Sequence, residues 1–302
     1  MHRIATVINY CSNESPFLQP CIEQARLFSK QICVPVADHF FNGTPENMQK
    51  LQDAYATFAD CTFLQFAFDS EKIPQKYKEI ERPRVWHNIA RCLAYAYLDA
   101  DIDYVLFLDA DEIIDASRFQ RWLDTNLYQE YKAMKLCNYW YFRDVCYQAA
   151  TFEDSLLLVK KSALSKALLM HKDERDGVFD HIQGAKNRRV LGPDDKPMGH
   201  HYSWVRSQEE MLKKTESWGH SQDRDWKSCI EEEFSKEFQG KDFVHGYTFK
   251  KVEPFVQLDR KDRSTYKTGT PKYTLSADEW AQILGSSKFS LTSFLQSFWI
   301  SS

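Results

Sequence analysis

The sequence is short of several signatures that would have named a chemistry at once. No stretch approaches the roughly 20 consecutive apolar residues of a membrane span, and the N-terminus has neither the length nor the flanks of a signal peptide. The expected location is therefore cytoplasmic, or peripheral at a membrane. A removed targeting segment would leave the same reading. There is no long basic stripe: Lys186, Arg188 and Arg189 form a short group, and the formal net charge is -4. Phosphate-neutralising nucleic-acid binding is not expected from such a chain. The eight cysteines are scattered, with no CxxC pair at metal-like spacing. A phosphate-cradling P-loop and a GxSxG elbow are also missing, which argues against P-loop NTPases and serine hydrolases. No short-period repeat or low-complexity tract is visible.

What is present is a globular chain of 302 residues, 43% apolar and 27% charged, with eight Trp and fifteen Tyr. That length can bury a substantial core in one large domain. The β-branched run IATVI, Ile4 to Ile8, reads as a buried first strand. Pro16 opens a helical pattern that carries Phe17, Cys21, Ala25 and Phe28. A second strand over Cys33 to Val36 ends at Asp38. Pro45 to Phe58 reads as a helix with Thr44 as its cap, and Cys61 to Phe68 as a third strand followed by Asp69. Trp86 to Leu98 is helical in pattern. Then comes the clearest buried strand, Tyr104 to Leu108. Alternating strands and helices predict an α/β fold with a mostly parallel sheet covered by helices on both faces. Ligands of such sheets sit beyond the carboxyl ends of the strands.

Further along, Arg118 to Tyr128 suggests a helix, and Ala133 to Phe142 and Ser155 to Lys160 suggest strands. Residues 171–200 read as loops and residues 207–238 as polar helix. The expected division is a catalytic domain over 1–238 and a C-terminal extension over 239–302 packed on it. The apolar stretch Phe289 to Ile300 reads as a docked terminal helix or a partner-contacting face.

The strand at Tyr104 ends in Asp109-Ala110-Asp111-Glu112. Carboxylates are costly to bury unpaired. Two positions apart on an extended backbone, Asp109 and Asp111 would project to one side. A divalent cation relieves their repulsion, and oxygen ligands suit Mn²⁺ or Mg²⁺, which also bind phosphate oxygens. A solvated acidic turn is the plainer alternative. Glu112 reads either as a supporting carboxylate or as a solvated or capping one. His200 and His201, beside Tyr202 and Trp204, could offer one imidazole nitrogen to the same ion; His201 is preferred.

On these residues the chain resembles the GT-A class of nucleotide-sugar glycosyltransferases, with family 2-like features. DYVLFLDADEII, Asp103 to Ile114, looks like the strand and DxD motif of that class. ARCLAYAY, Ala90 to Tyr97, looks like the preceding helix, with Arg91 as its donor-side basic residue. IATVINYCSNESPFL resembles the first strand and Asn-Glu loop, which brings Asn9 to the donor. VADHF resembles the second strand end, with Asp38 as the carboxylate that meets the nucleotide, and Asp69 matches the third-strand carboxylate. GHHYSWVRSQEEMLKKTESWGH, Gly199 to His220, resembles the segment whose late His completes the cation shell. DHFFNGTPE departs from the usual Asp-rich loop and leaves the subgroup open.

The resemblance implies a metal-dependent transferase. It would move a sugar from a nucleoside-diphosphate donor, UDP-linked by family habit, to a hydroxyl of a glycan, protein or lipid. Asp109, Asp111 and His201 would hold Mn²⁺ or Mg²⁺. Asn9, Asp38, Asp69, Arg91 and Asp109 would meet the nucleotide-sugar. An inverting course needs a carboxylate base after the DxD motif, and HKDERDGVFDH offers Asp176 first, beside Gly177, then Glu174 and Asp180. Lys213, Lys214 and His220 could approach phosphates. The competing classes are a metal-dependent nucleotidyltransferase or phosphohydrolase and a non-catalytic carbohydrate-binding protein. Oligomeric state is not legible.

Overall fold

The computed structural model describes residues 2–78, 80, 84–183, 188–217, 224–260 and 265–285. The first half alternates strand and helix: β1 (Ile4–Asn9), α1 (Ser15–Arg26), β2 (Gln31–Ala37), α2 (Met48–Thr57), β3 (Thr62–Phe66), α3 (Arg84–Ala96) and β4 (Tyr104–Asp109). There follow β5 (Glu112–Ile114), α4 (Ala116–Leu123), β6 (Ala133–Phe142), β7 (Asp144–Lys160), α5 (Lys166–Leu169), α6 (Glu174–Gln183) and β8 (Gly199–Trp204). The remaining elements are α7 (Gln208–Ser217), α8 (Trp226–Phe234), β9 (Phe249–Lys251), β10 (Tyr273–Leu275) and α9 (Ala277–Gly285).

The strands form a ten-stranded sheet in the order β10-β3-β2-β1-β4-β7-β6-β8-β5, with β9 paired to β7. The expected α/β class is what the chain adopts. The stretch from β10 to β4 is parallel throughout. Beyond it the sheet is mixed, because β6 and β7 are joined by a single residue, Arg143 at φ 62, and a connection that short can only reverse the chain. β1 lies between β2 and β4, so chain connections diverge to either side of it and open a crevice at its carboxyl end.

Alternation along β4 divides the core. Leu106 and Leu108 pack with Phe17, Leu18 and Ile22 of α1 and Phe119 of α4 on one face. Val105 and Phe107 pack with Trp86, Ile89 and Leu93 of α3 on the other. A third cluster gathers Trp140, Phe142, Trp204 and Trp226. Described residues beyond 238 join the same sheet through β9 and β10. β10 extends it beside β3, and Trp280 of α9 is fully buried with its ring 5.8 Å from Trp86. The stretch 289–300 lies outside the described residues.

Two expected elements differ. Helix α2 begins after Asn47, whose side chain accepts the Lys50 N–H at 3.2 Å, whereas Thr44 is held in a turn by Asn42. Within 171–200, expected as loop, residues Glu174–Gln183 form α6, which buries Val178 and Phe179. Its charge density hid the short apolar face. Gly177 belongs to that helix because of close packing: a Cβ there would fall 1.9 Å from His171 Nδ1.

Candidate functional site

The carboxyl ends of β1 and β4 lie side by side, with Asn9 paired to Asp109. The chain then turns at once, and the Ala110 N–H donates to the Asn9 carbonyl at 3.0 Å. Asp109 and Asp111 thus stand on either side of a tight turn rather than along one extended strand. The turn leads into β5, which pairs antiparallel with β8 so that Glu112 faces His201. The Tyr202 N–H donates to the Asp111 carbonyl at 2.9 Å. This pairing carries a histidine ninety positions downstream to the aspartates. Asn9, His87, Asp109, Asp111, His201 and Lys214 all line one cleft of about 470 Å³.

Each aspartate accepts hydrogen bonds from protein cations on one oxygen. Arg175 Nη2 donates to Asp109 Oδ2 at 3.1 Å, and Arg91 lies 3.6 Å from its Oδ1. Lys214 Nζ and Arg206 Nη2 donate to Asp111 Oδ2 at 3.1 and 3.3 Å. Asp111 Oδ1 stands 3.6 Å from His201 Nε2, beyond hydrogen bonding. Glu112 is fully buried, caps the strand end by accepting the Asp109 N–H at 2.8 Å, and takes both arms of the Arg175 fork. Glu14 shares Arg206 and Lys214 with Asp111.

Burial alone would raise the pKa of Asp109, but Arg175 and Arg91 outweigh it and hold the carboxyl well below the ordinary range. Asp111 is also lowered: burial opposes, while Lys214, His201 and Arg206 prevail. Glu174 follows the same balance, with His87 and Arg91 overcoming burial. His87 is lowered because burial disfavours its cation more than Glu174 and Asp109 favour it. The cleft thus presents ionised carboxylates and a neutral imidazole at physiological pH.

Buried polar atoms without a hydrogen-bond partner concentrate here among the described residues. They include both side-chain polar atoms of Asn9, the Tyr10 hydroxyl, His87 Nδ1, Asp109 Oδ1, Trp140 Nε1 and His201 Nδ1, all on residues that line this cleft. Three of these atoms face protein charges beyond hydrogen-bond range, Asp109 Oδ1 to Arg91, His87 Nδ1 to Glu174 and His201 Nδ1 to Glu112, and a buried polar group left without a hydrogen bond costs about 1–3 kcal/mol.

The other sequence-selected residues are distributed as follows. Arg91, 3% exposed, lies behind Asp109 and donates to Glu174 Oε2 at 3.0 Å, so it reaches the cleft through the aspartate. Asp38 accepts the Phe68 N–H at 2.7 Å and bonds His39 at 2.8 Å; His39, not Asp38, lines the cleft. Asp69 accepts the Glu71 N–H as the cap of a short helical turn. Glu174 sits 3.6 Å from His87 Nδ1. Asp176 lines a different cleft and binds Lys135 at 2.6 Å and Arg188 at 3.1 Å. Asp180, with 58% of its side chain exposed, pairs with Arg188 at 3.0 Å. Glu174, at φ 50, opens α6 outside helical geometry and lines the same other cleft as Asp176. Their partners separate them, His87 and Arg91 for Glu174 against Lys135 and Arg188 for Asp176, while Asp176 and Asp180 share a helix face. His200 points away from His201 into the core, bonded to the Tyr141 hydroxyl at 2.8 Å. Lys213 has its ammonium over Phe40, and His220 lies outside the described residues.

Sequence reasoning passed over Arg175 and Arg206, the cations that set the charge of the site, and His245, which lines the cleft. Nothing in their local sequence separates them from surface residues. Among the described residues, no group of three or more His, Cys, Asp or Glu side chains is placed so as to hold a metal ion. The described helices include none long and apolar enough to cross a membrane.

No family model matches the sequence, and no curated protein matches it. Solved structures that overlap the fold include the 4-diphosphocytidyl-2C-methyl-D-erythritol synthase of Anaerococcus prevotii, at 8% identity and TM-score 0.41, covering 70% of this chain and 96% of that one. TarS 1-349 of S. aureus overlaps at 10% identity and TM-score 0.38, covering 70% and 63%. The glycosyltransferase GlyE of Streptococcus pneumoniae overlaps at 11% identity and TM-score 0.35, covering 78% and 64%. Overlaps of this size assign no activity.

Proposed function

We propose that this cleft transfers a glycosyl group from a nucleoside-diphosphate sugar, UDP-linked, to an acceptor hydroxyl. The observation that carries the reading is the convergence of Asn9, Asp109, Asp111 and His201 where β1 and β4 end, amid buried polar atoms that lack partners. The chemistry of the donors, two carboxylates and one imidazole, suits a hard divalent ion, and binding it would draw Asp109 Oδ1 away from Arg91 and gather the three side chains more closely than they stand here. Asp109, Asp111 and His201 would hold Mn²⁺ or Mg²⁺, which supplies Lewis-acid neutralisation of the departing diphosphate.

The chain's own groups supply the rest. Lys214 and Arg224 line the cleft as cations for the diphosphate. The Asn9 amide offers donors and an acceptor to the nucleotide, and Asp38 positions His39 at the rim. Of the three acid-loop carboxylates, Glu174 is the one whose partners border the cleft. His87, 28% exposed with Glu174 behind Nδ1, takes the proton of the attacking hydroxyl, and Glu174 stabilises the resulting imidazolium. The acceptor oxygen forms its bond to the anomeric carbon as the sugar–phosphate bond breaks, and its electron pair leaves on the diphosphate.

The test is a panel of nucleotide-sugars with Mn²⁺, read by the nucleotide product. Release of a nucleoside diphosphate is expected. Release of pyrophosphate would identify nucleotidyl transfer instead, and neither binding nor turnover with any donor would end the proposal.

A further inference from the structure

Two histidines lining the main cleft each face a glutamate: His87 Nδ1 is 3.6 Å from Glu174 Oε2, and His245 Nε2 is 3.8 Å from Glu153 Oε1. Both glutamates line a second cleft of about 660 Å³. The two His–Glu pairs therefore lie where the cavities adjoin. We propose that the second cleft binds the acceptor and that the acceptor is a carbohydrate, an inference that rests on the main cleft being the donor site.

The lining of the second cleft favours a polyol. Phe152 and Tyr247 are half-buried rings suited to the apolar face of a sugar. Around them stand hydrogen-bond acceptors, Glu153 and Glu174, and donors, Lys135 and Arg189, the latter with its guanidinium 4.8 Å from the Phe152 ring. A ligand dense in hydroxyls can meet both kinds. A lipid chain would leave them unsatisfied, and a phosphate-rich ligand would meet the glutamates.

The loop bearing His245 and Tyr247 is fixed in advance. Asp242, 3% exposed, accepts the N–H groups of Val244, His245 and Gly246 at 2.7, 2.6 and 3.2 Å on one oxygen. Its other oxygen accepts the Tyr247 N–H at 3.1 Å. The Tyr247 hydroxyl donates to Glu153 at 3.2 Å, and the His245 ring stacks on Tyr247 at 5.0 Å. A site ordered before binding spends less of its contact energy on ordering. A sugar on Phe152 and Tyr247 would extend toward the boundary at which His87 lines the main cleft.

The experiment uses the full chain in two parallel measurements. One is fluorescence titration with UDP and Mn²⁺; the other is binding of the labelled protein to an array of neutral oligosaccharides. A defined set of glycans should bind. Phe152→Ala and Tyr247→Ala should each weaken glycan binding roughly tenfold and leave UDP affinity within about twofold. Glu153→Gln, which preserves shape, should weaken glycan binding in the same direction if either ring variant fails to fold. UDP binding with no glycan bound, or glycan binding indifferent to all three variants, would overturn the acceptor site and leave the donor reading standing. Failure to bind UDP would remove the premise instead. Binding to phosphatidylcholine vesicles or peptides in place of glycans would refute the carbohydrate class.

Discussion

Asp111 and Arg175 both sit in the same charged network, yet their replacement should read out differently. In Asp111→Asn the side chain keeps its shape, and Arg206 retains Glu14. The fold should survive by circular dichroism, while turnover drops about 100-fold or more for want of a full carboxylate charge. Arg175→Met leaves Glu112 fully buried without its cation. Removing one member of a buried pair costs about 3–5 kcal/mol. Urea unfolding should show that loss, and Glu112→Gln added to Arg175→Met should return part of it. A wild-type unfolding midpoint in Arg175→Met would mean the pair contributes no stability.

His200 supplies a pH signature distinct from the main cleft. Burial, with Arg118 adding to it, pushes its pKa down to about 3 from an ordinary 6.5. Between those values the unfolded chain binds a proton that the folded chain refuses, so stability falls as pH drops below 6.5. From pH 7 to pH 5 this one group should remove about 2 kcal/mol. Comparing urea midpoints of wild type and His200→Gln at both pH values isolates it. The variant should be less stable at pH 7, having lost the hydrogen bond to Tyr141, and should lose less on acidification. An equal drop in both proteins would show that carboxylates alone carry the acid sensitivity.

At the scale of elements, α6 shows how composition can conceal a helix. Intrinsic propensity would favour Ala over Gly by about 1 kcal/mol. At position 177 the clash with His171 should win, since even the ring Cγ would be 2.6 Å from a new Cβ. Gly177→Ala should lower stability by about 1–3 kcal/mol, and His171→Ala in the same chain should relieve most of the loss. If Gly177→Ala alone raises the melting temperature, α6 is not packed against His171 as described. Strands were easier to read than α6. The apolar runs of β1 and β4 declare two-sided burial, and β6 falls at the residues its pattern selects. β7 was legible only over its apolar end, because Asp144 to Glu153 alternates less cleanly and is half-exposed.

For the whole molecule, the sheet closes over a long sequence distance. β10 is added beside β3, and Trp280 is packed on Trp86 beneath it. Trp280→Ala should therefore destabilise the entire fold by about 3–5 kcal/mol, seen as one lowered melting transition rather than release of a separate tail. Two resolved transitions would show that residues beyond 238 fold apart from the rest.

Local sequence determined the alternating strands and helices, the buried strand that ends at Asp109, and the acidic turn after it. Burial pattern and carboxylate spacing are local properties, and a linear reading reaches them. Tertiary structure decided which charges meet. Pairing of β5 with β8 brought His201 to Asp111, and the packing of α6 set Glu174 beside His87 and Asp176 on Lys135. Arg175 and Arg206 found their carboxylates through contacts that cross 66 and 95 positions. Electrostatic attraction depends on separation in space, and the sheet, not the order of residues, sets that separation.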